Sequence, residues 1–268
     1  SAVYSFRAGK EVMQEVKQAA ETAIKLDDSL GEAYGPLGSY YTYFERNWVE
    51  ANKNFIRAIQ LNPKFTQARS LYGLIYLCWV EGKSEEAVKH AQISIKLEPL
   101  STIDHADLSW ILYTANKFEE ALTYAQTGIG IDANSFLSQR LAGLCYIALK
   151  RYEEAIDTFN YLMKISNRHQ HALTALIWAY CSNGNLEDAC ALMDELKKRS
   201  ATEYIGCTYF GLSAAWLGDV NTAFEYLEKA YNDLDPILIS VKYAPYVPAF
   251  LRQDSRFKSL IKRINYPE

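Results

Sequence analysis

The four histidines, His90, His105, His169 and His171, are the side chains most able to exchange protons or hold a metal near neutral pH. Only His169 and His171 stand close together, and at the start of a helix that spacing does not place both rings on one face. No metal site is expected there. The acidic pairs Glu85-Glu86, Glu119-Glu120 and Glu153-Glu154 resemble the paired carboxylates of general acid–base chemistry. Each pair, however, falls just before an alanine of a periodic series, where negative charge favours a helix N-terminus. Cys181 and Cys190 are the remaining candidate nucleophiles. Neither has a basic neighbour in sequence to lower its pKa, so burial as small apolar residues is the expectation. The chain has no phosphate-cradling glycine loop, nucleophile elbow or HExxH zinc signature. No catalytic residue, cofactor or metal is assigned, and the chain reads as non-enzymatic.

The elements that would position any site must come from a well-packed body. Of 268 residues 49% are hydrophobic and 13% aromatic, ample for an extensive core, and no Ser/Gly/Pro-rich stretch supplies a linker. The net charge of -4 gives no general attraction for nucleic acid or anionic membranes. The longest apolar run, Leu71 to Val80, is about half of the roughly 20 residues a membrane-spanning helix needs, and reads as a buried helix segment. Cys78, Cys145, Cys181, Cys190 and Cys207 form an odd set without a CxxC pair, which argues for reduced, mostly buried thiols and a cytoplasmic location. The chain begins at Ser1 without a signal-peptide pattern, as a piece of a longer chain would.

Alanines recur at Ala87, Ala121, Ala155, Ala189 and Ala223, each 34 residues after the last, with Ala51 lying 36 before the series. A second track keeps the same period: Gly82, Asn116, Lys150, Gly184 and Gly218 in the preceding turn. A third places Trp48, Phe118, Tyr152, Leu186 and Val220 three residues before their alanines. Two antiparallel helices that cross closely need small residues at the crossing and large ones beside it, which explains Gly38, Ala51 and Ala58 among Tyr34, Leu37, Tyr41 and Phe55. Pro63 and Pro99 end second helices because proline cannot donate a backbone hydrogen bond. The first copy carries one extra residue near Phe44 to Asn47, and the second carries two between Ala68 and Gly82.

The run Tyr34-x2-Leu37-Gly38-x2-Tyr41, Ala51-x3-Phe55-x2-Ala58, Pro63, together with the period of 34, resembles the tetratricopeptide repeat over about nine-tenths of the chain. The resemblance implies an all-α, right-handed superhelical solenoid of antiparallel helix pairs. A partial repeat spans 1–28, repeats span 29–63, 64–99, 100–133, 134–167, 168–201 and 202–236, and a C-terminal cap spans 237–268. In the partial repeat Glu11 to Leu26 reads as one second-type helix; in the cap, Pro236 to Pro248 breaks the pattern before a short helix, Ser255 to Ile264. A solenoid needs such a cap to shield its last apolar face. The phrases Leu61-Asn62-Pro63, Glu98-Pro99-Leu100-Ser101 and Asp254 to Ile261 look like the arrays attached to bacterial winged-helix regulators, adenylate cyclases and serine/threonine kinases.

The resemblance places the first helices on the concave face and assigns the groove to Tyr43, Trp110, Tyr113, Arg140, Trp178 and Trp216. Clustered aromatics are typical anchors for a protein or peptide partner, because they bury large area while keeping a hydrogen-bonding edge. The competing expectation is that these rings are buried against neighbouring helices or the chain's own tail. Gly35 and Ser39 stand where similar arrays carry a carboxylate clamp for chaperone C-termini, which disfavours that function. A second candidate surface is the basic tail, with Lys242, Arg252, Arg256, Lys258, Lys262 and Arg263 against Asp254 and Glu268. The reading is a protein-interaction scaffold, a regulatory or sensory module of a bacterial signalling or transcription-control protein, with no nucleic-acid or membrane role and with self-association open. The alternatives are a secretion or assembly chaperone cradling a client and, remotely, an α-helical toroid enzyme in which Cys181 and His171 converge with an acidic side chain.

Overall fold

The computed structural model of the protein describes residues 9–267; the ends of the partial repeat and of the cap, 1–8 and 268, lie outside it. Among the described residues every regular element is helical. The first is α1 (Gly9–Leu26), matching the expected lone helix. Six pairs follow: α2 (Gly31–Tyr40) with α3 (Trp48–Leu61), α4 (Thr66–Leu71) with α5 (Ser84–Leu97), and α6 (Thr102–Thr114) with α7 (Phe118–Ile131). Then come α8 (Phe136–Ala148) with α9 (Tyr152–Ile165), α10 (Gln170–Asn183) with α11 (Leu186–Arg199), and α12 (Cys207–Trp216) with α13 (Val220–Asn232). A 3-10 turn (Pro236–Ser240), α14 (Ala249–Gln253) and α15 (Ser255–Ile264) complete the chain. From α1 to α13 each helix packs on the next, so the pairs stack into a solenoid.

The periodic tracks have local causes. Ala51, Ala58, Ala87, Ala121, Ala155, Ala189 and Ala223 are fully buried at the crossings. At the fourth pair a Cβ on Gly143 would lie 2.4 Å from the Phe159 ring, so glycine there is what lets α8 approach α9. The second track is a backbone requirement: Gly82, Asn116, Lys150, Gly184 and Gly218 all have positive φ, from 61° to 84°, the left-handed residue that reverses the chain after each first helix. The glutamate pairs sit in the first turns of α5, α7 and α9, where the exposed N–H groups favour them.

The extra residues of the first two repeats are taken up without a loop. Helix α2 continues as a π-helical turn, Tyr41–Glu45, and α4 continues as a π-helix, Tyr72–Val80. A π-turn closes one residue later than an α-turn, so it absorbs an insertion while the helix axis runs on. The widened bonds show this, with Glu81 N–H donating to Tyr76 O at 3.0 Å and Lys83 N–H to Leu77 O at 2.8 Å. The apolar run to Val80 is buried along this segment, and no described helix is long and apolar enough to cross a membrane. In α15, Phe257 and Leu260 are buried and Ile261 half-buried, the face expected of a cap, and α15 packs on α13.

Candidate functional site

The tail enters the concave face instead of leaving it open. Asp235, buried, accepts backbone N–H bonds from Ile237 at 3.0 Å and Thr208 at 2.9 Å, so one carboxylate caps the 3-10 turn and bolts it to the start of α12. Burial pushes its pKa up, opposed by these donors. From there the chain crosses the groove. The Tyr246 ring stacks on Trp178 at 5.3 Å, its hydroxyl lies 2.6 Å from Ser240 Oγ, and its carbonyl accepts from Trp216 Nε1 at 3.0 Å. Gly82 is contacted by Tyr243, whose ring a Cβ would meet at 2.6 Å.

The tail also joins the two ends of the array. Trp48 of the first pair stacks on Tyr266 at 6.0 Å and donates from Nε1 to Asn265 O at 2.6 Å. The Arg46 guanidinium lies 4.5 Å over the Tyr231 ring of α13 and donates to the Tyr231 carbonyl. The superhelix is thereby closed: its first pair touches its last pair and its cap. Much of the tail's basic charge is spent on this closure. Arg252 donates to the carbonyls of Lys242, at 2.7 Å, and Ala244; Arg256 pairs with Asp254 and covers Phe224; Arg263 pairs with Glu228 at 2.5 Å.

The six groove residues all face this filled interior. Trp178 is fully buried, Tyr43, Trp110, Tyr113 and Arg140 are buried, and Trp216 is half-buried. The second expectation, burial against neighbouring helices and the tail, describes their surroundings. They line two cavities that the tail leaves. One, of about 980 Å³, lies toward the C-terminal ends of the first helices and is lined by Tyr113, Trp178 and Trp216 with the tail residues Tyr243 and Tyr246. Its charged lining residues are Lys150, Lys242 and Arg252, all cationic. The other, of about 700 Å³, lies toward the N-terminal halves of the first helices and is lined by Tyr43, Trp110 and Arg140 with Asp104, Asp107 and His171.

The candidate chemical groups are dispersed. His169 caps α10, its Nδ1 accepting from His171 N–H at 3.3 Å, and the two rings meet edge to face at 4.8 Å. Burial, with Arg140 and His169 nearby, holds His171 well below the usual imidazole range, so it is neutral. Among the described residues no three His, Cys, Asp or Glu side chains gather as a metal would require. Cys181 lies ten residues beyond His171 on α10, about 15 Å along the axis, so the two do not converge. Its thiol is pushed up to about 11 by burial and by Cys190. Cys190 corrects the expectation of burial: it is exposed, on the outer side of α11. Cys78, Cys145 and Cys207 are buried and free. The groups that sequence reasoning missed are Asp104, Asp107, Lys150 and the tail tyrosines. Asp104 and Asp107 carried one signal, acidic residues three apart on the same first helix as Trp110.

Two tetratricopeptide-repeat models match the chain, one over residues 106–167 and one over residues 146–204. No curated protein matches the sequence. Among solved structures, the APC/C hetero-tetramer Cut9-Hcn1 superposes with a TM-score of 0.63 at 14% identity, covering 94% of this chain and 46% of that one. The chain thus spans less than half the length of that relative. PilW, a widely conserved type IV pilus biogenesis factor, superposes with a TM-score of 0.57 at 17% identity, covering 82% of this chain and 98% of that one. For pilF of Pseudomonas aeruginosa the TM-score is 0.54 at 14% identity, with 81% and 97% covered. At these identities the likeness concerns the fold alone. The family match concerns the repeats between residues 106 and 204, and the fold is a tetratricopeptide-like solenoid.

Proposed function

We propose that the protein is a non-enzymatic scaffold that holds a protein or peptide segment on its concave face, beside the docked tail. The observation that carries this reading is the cavity of about 980 Å³, whose wall holds Tyr113, Trp178 and Trp216 and whose charged lining is wholly cationic. Aromatic walls supply buried contact area, and Lys150, Lys242 and Arg252 set the sign of the partner. The segment it suits is acidic, with an apolar or aromatic anchor. A tetratricopeptide solenoid supports such a role, because binding in this superfamily rests on the surface that stacked pairs present.

The setting we propose is a regulatory module of a bacterial signalling or transcription-control protein, read as one solenoid over 1–268. What supports it is the likeness of Glu98 to Ser101 and of Asp254 to Ile261 to the arrays of such proteins. Five free cysteines suit the reducing cytoplasm. Neither nucleic acid nor a membrane has a part in this reading.

The test is affinity capture from native lysate with the wild type and with Lys150→Glu/Lys242→Glu, which reverses the cavity's charge and leaves the buried aromatics in place. A protein with an acidic segment retained only by the wild type supports the reading; identical catches contradict it. One stoichiometric client released on folding would instead favour an assembly chaperone, and a parent gene without an upstream effector domain would remove the signalling setting.

A further inference from the structure

The second cavity poses a separate question, which is what neutralises Arg140. The residue is 1% exposed, among the most deeply buried large side chains. Its guanidinium lies 4.8 Å over the Trp110 ring and 5.3 Å over the Tyr209 ring, and its one described hydrogen bond runs from Nη2 to the Tyr209 hydroxyl at 3.1 Å. None of the ion pairs among the described residues includes it, and its Nε–H has no acceptor. Trp110 Nε1–H, also buried, has no acceptor either. Aromatic faces stabilise a cation only in part, and an uncompensated charge with spare donors in a dry interior is costly. Arg140 and Trp110 both line one cavity of about 700 Å³, and a buried guanidinium outside every ion pair calls for an anion.

The same cavity has an acidic wall. Asp104 accepts from Ser70 Oγ at 2.6 Å, and Asp107, half-buried, sits one helical turn before Trp110. Burial and the neighbouring Asp104 push the Asp107 carboxyl up to about 7, the mark of a carboxylate lacking a cation. Arg140 and Asp107 thus line the same cavity, yet no ion pair joins them. The lining also has an apolar part, Leu71, Leu74, Ile75 and Trp79, and a further carboxylate, Glu98.

We propose that this cavity binds a free apolar α-amino acid, its carboxylate on Arg140, its ammonium on the Asp104–Asp107 wall and its side chain against the apolar lining. Such a molecule carries both required charges on one small head. A guanidinium matches a carboxylate in two parallel bonds, and the cavity is within the size range of small-molecule sites. The site is distinct from the cationic cavity proposed for the protein partner, and either can fail without the other.

The test is titration of the full chain with L-phenylalanine, hydrocinnamate, which lacks the ammonium, and phenethylamine, which lacks the carboxylate. Trp79 and Trp110 line the cavity, so tryptophan fluorescence reports binding alongside calorimetry, and none of the three probes absorbs where tryptophan is excited. L-phenylalanine is expected to bind at least about tenfold more tightly than either truncated probe, the worth of one charge-assisted contact. Arg140→Met is expected to lower its affinity to that of phenethylamine, and Asp107→Asn to that of hydrocinnamate. If Arg140→Met does not fold, the half-buried Asp107→Asn still decides. Hydrocinnamate binding as tightly as L-phenylalanine would overturn the proposal in favour of a plain anion site; binding unchanged in the variants, or no binding of any probe at about 10 mM, would overturn it outright.

Discussion

The wall of this closed superhelix and its interior are built on different principles. In the wall, from α6 to α11, each crossing repeats one solution: a fully buried alanine against a large apolar neighbour, with a left-handed residue reversing the chain. In the interior nothing repeats. A single carboxylate, Asp235, fixes the tail, one tyrosine, Tyr246, meets two tryptophans, and a buried guanidinium rests between Trp110 and Tyr209. The wall draws its stability from contacts between neighbours in sequence. The interior depends on contacts between residues about 30 to 220 apart, such as Trp48 with Asn265. A solenoid can therefore hold its shape locally and still be closed by a few aperiodic bonds.

The comparison breaks most visibly at the wall. Gly143→Ala should overpack the α8–α9 crossing against the fully buried Phe159 and cost on the order of 1 to 3 kcal/mol in denaturant unfolding. Phe159→Leu in the same chain should recover part of that loss, and strict additivity would show that the two do not meet. At the tail, Asp235→Ala removes the acceptor of two buried backbone N–H groups. A loss of about 1 to 2 kcal/mol is expected, with a change in fluorescence as Tyr246 leaves Trp178 and Trp216. Equal loss without a spectral change would mean that the tail does not rest on this bolt.

In the interior, Asp107 offers a test through pH. Its carboxyl is raised to about 7 in the folded chain against about 4 in an unfolded one, so between these values the folded state holds the extra proton. Stability should fall as pH rises from about 4 to 7 through this group, and Asp107→Asn should flatten that slope. The variant is expected to match the wild type at the acid end and exceed it by at most about 4 kcal/mol at pH 8. The smallest effect lies outside. The exposed Arg263–Glu228 pair should contribute less than about 1 kcal/mol, so Arg263→Gln should leave thermal unfolding nearly unchanged.

What could be read from the sequence follows the same division. The period of 34 gave the pairs, the alanines and the turns, because each repeat imposes the same local demand on backbone and packing. The turn track kept its register even where lysine or asparagine replaced glycine, since the chain must turn there whatever the residue. The two extra residues near Leu71 to Val80 could be counted but not placed, because a π-helix spreads an insertion over several residues instead of expelling it. The six groove residues each line one of the two interior cavities. Their burial was not decidable, because it depends on where a tail beyond the last repeat goes, and no periodic signal encodes that. Asp107 and Arg140 lie on different first helices, so their juxtaposition emerges only when the helices stack.

The central claim is closure: the first pair meets the last pair through Arg46 and Tyr231, and the tail through Trp48. The most direct measurement is a spin-label distance between Val49 on α3 and Asn232 on α13, both exposed and each a few residues from that contact, with the exposed Cys190 replaced by serine. A closed superhelix predicts one short, narrow distance, set by the 4.5 Å contact between Arg46 and Tyr231. A long or broad distribution, unchanged when the residues after Asp235 are deleted, would contradict it.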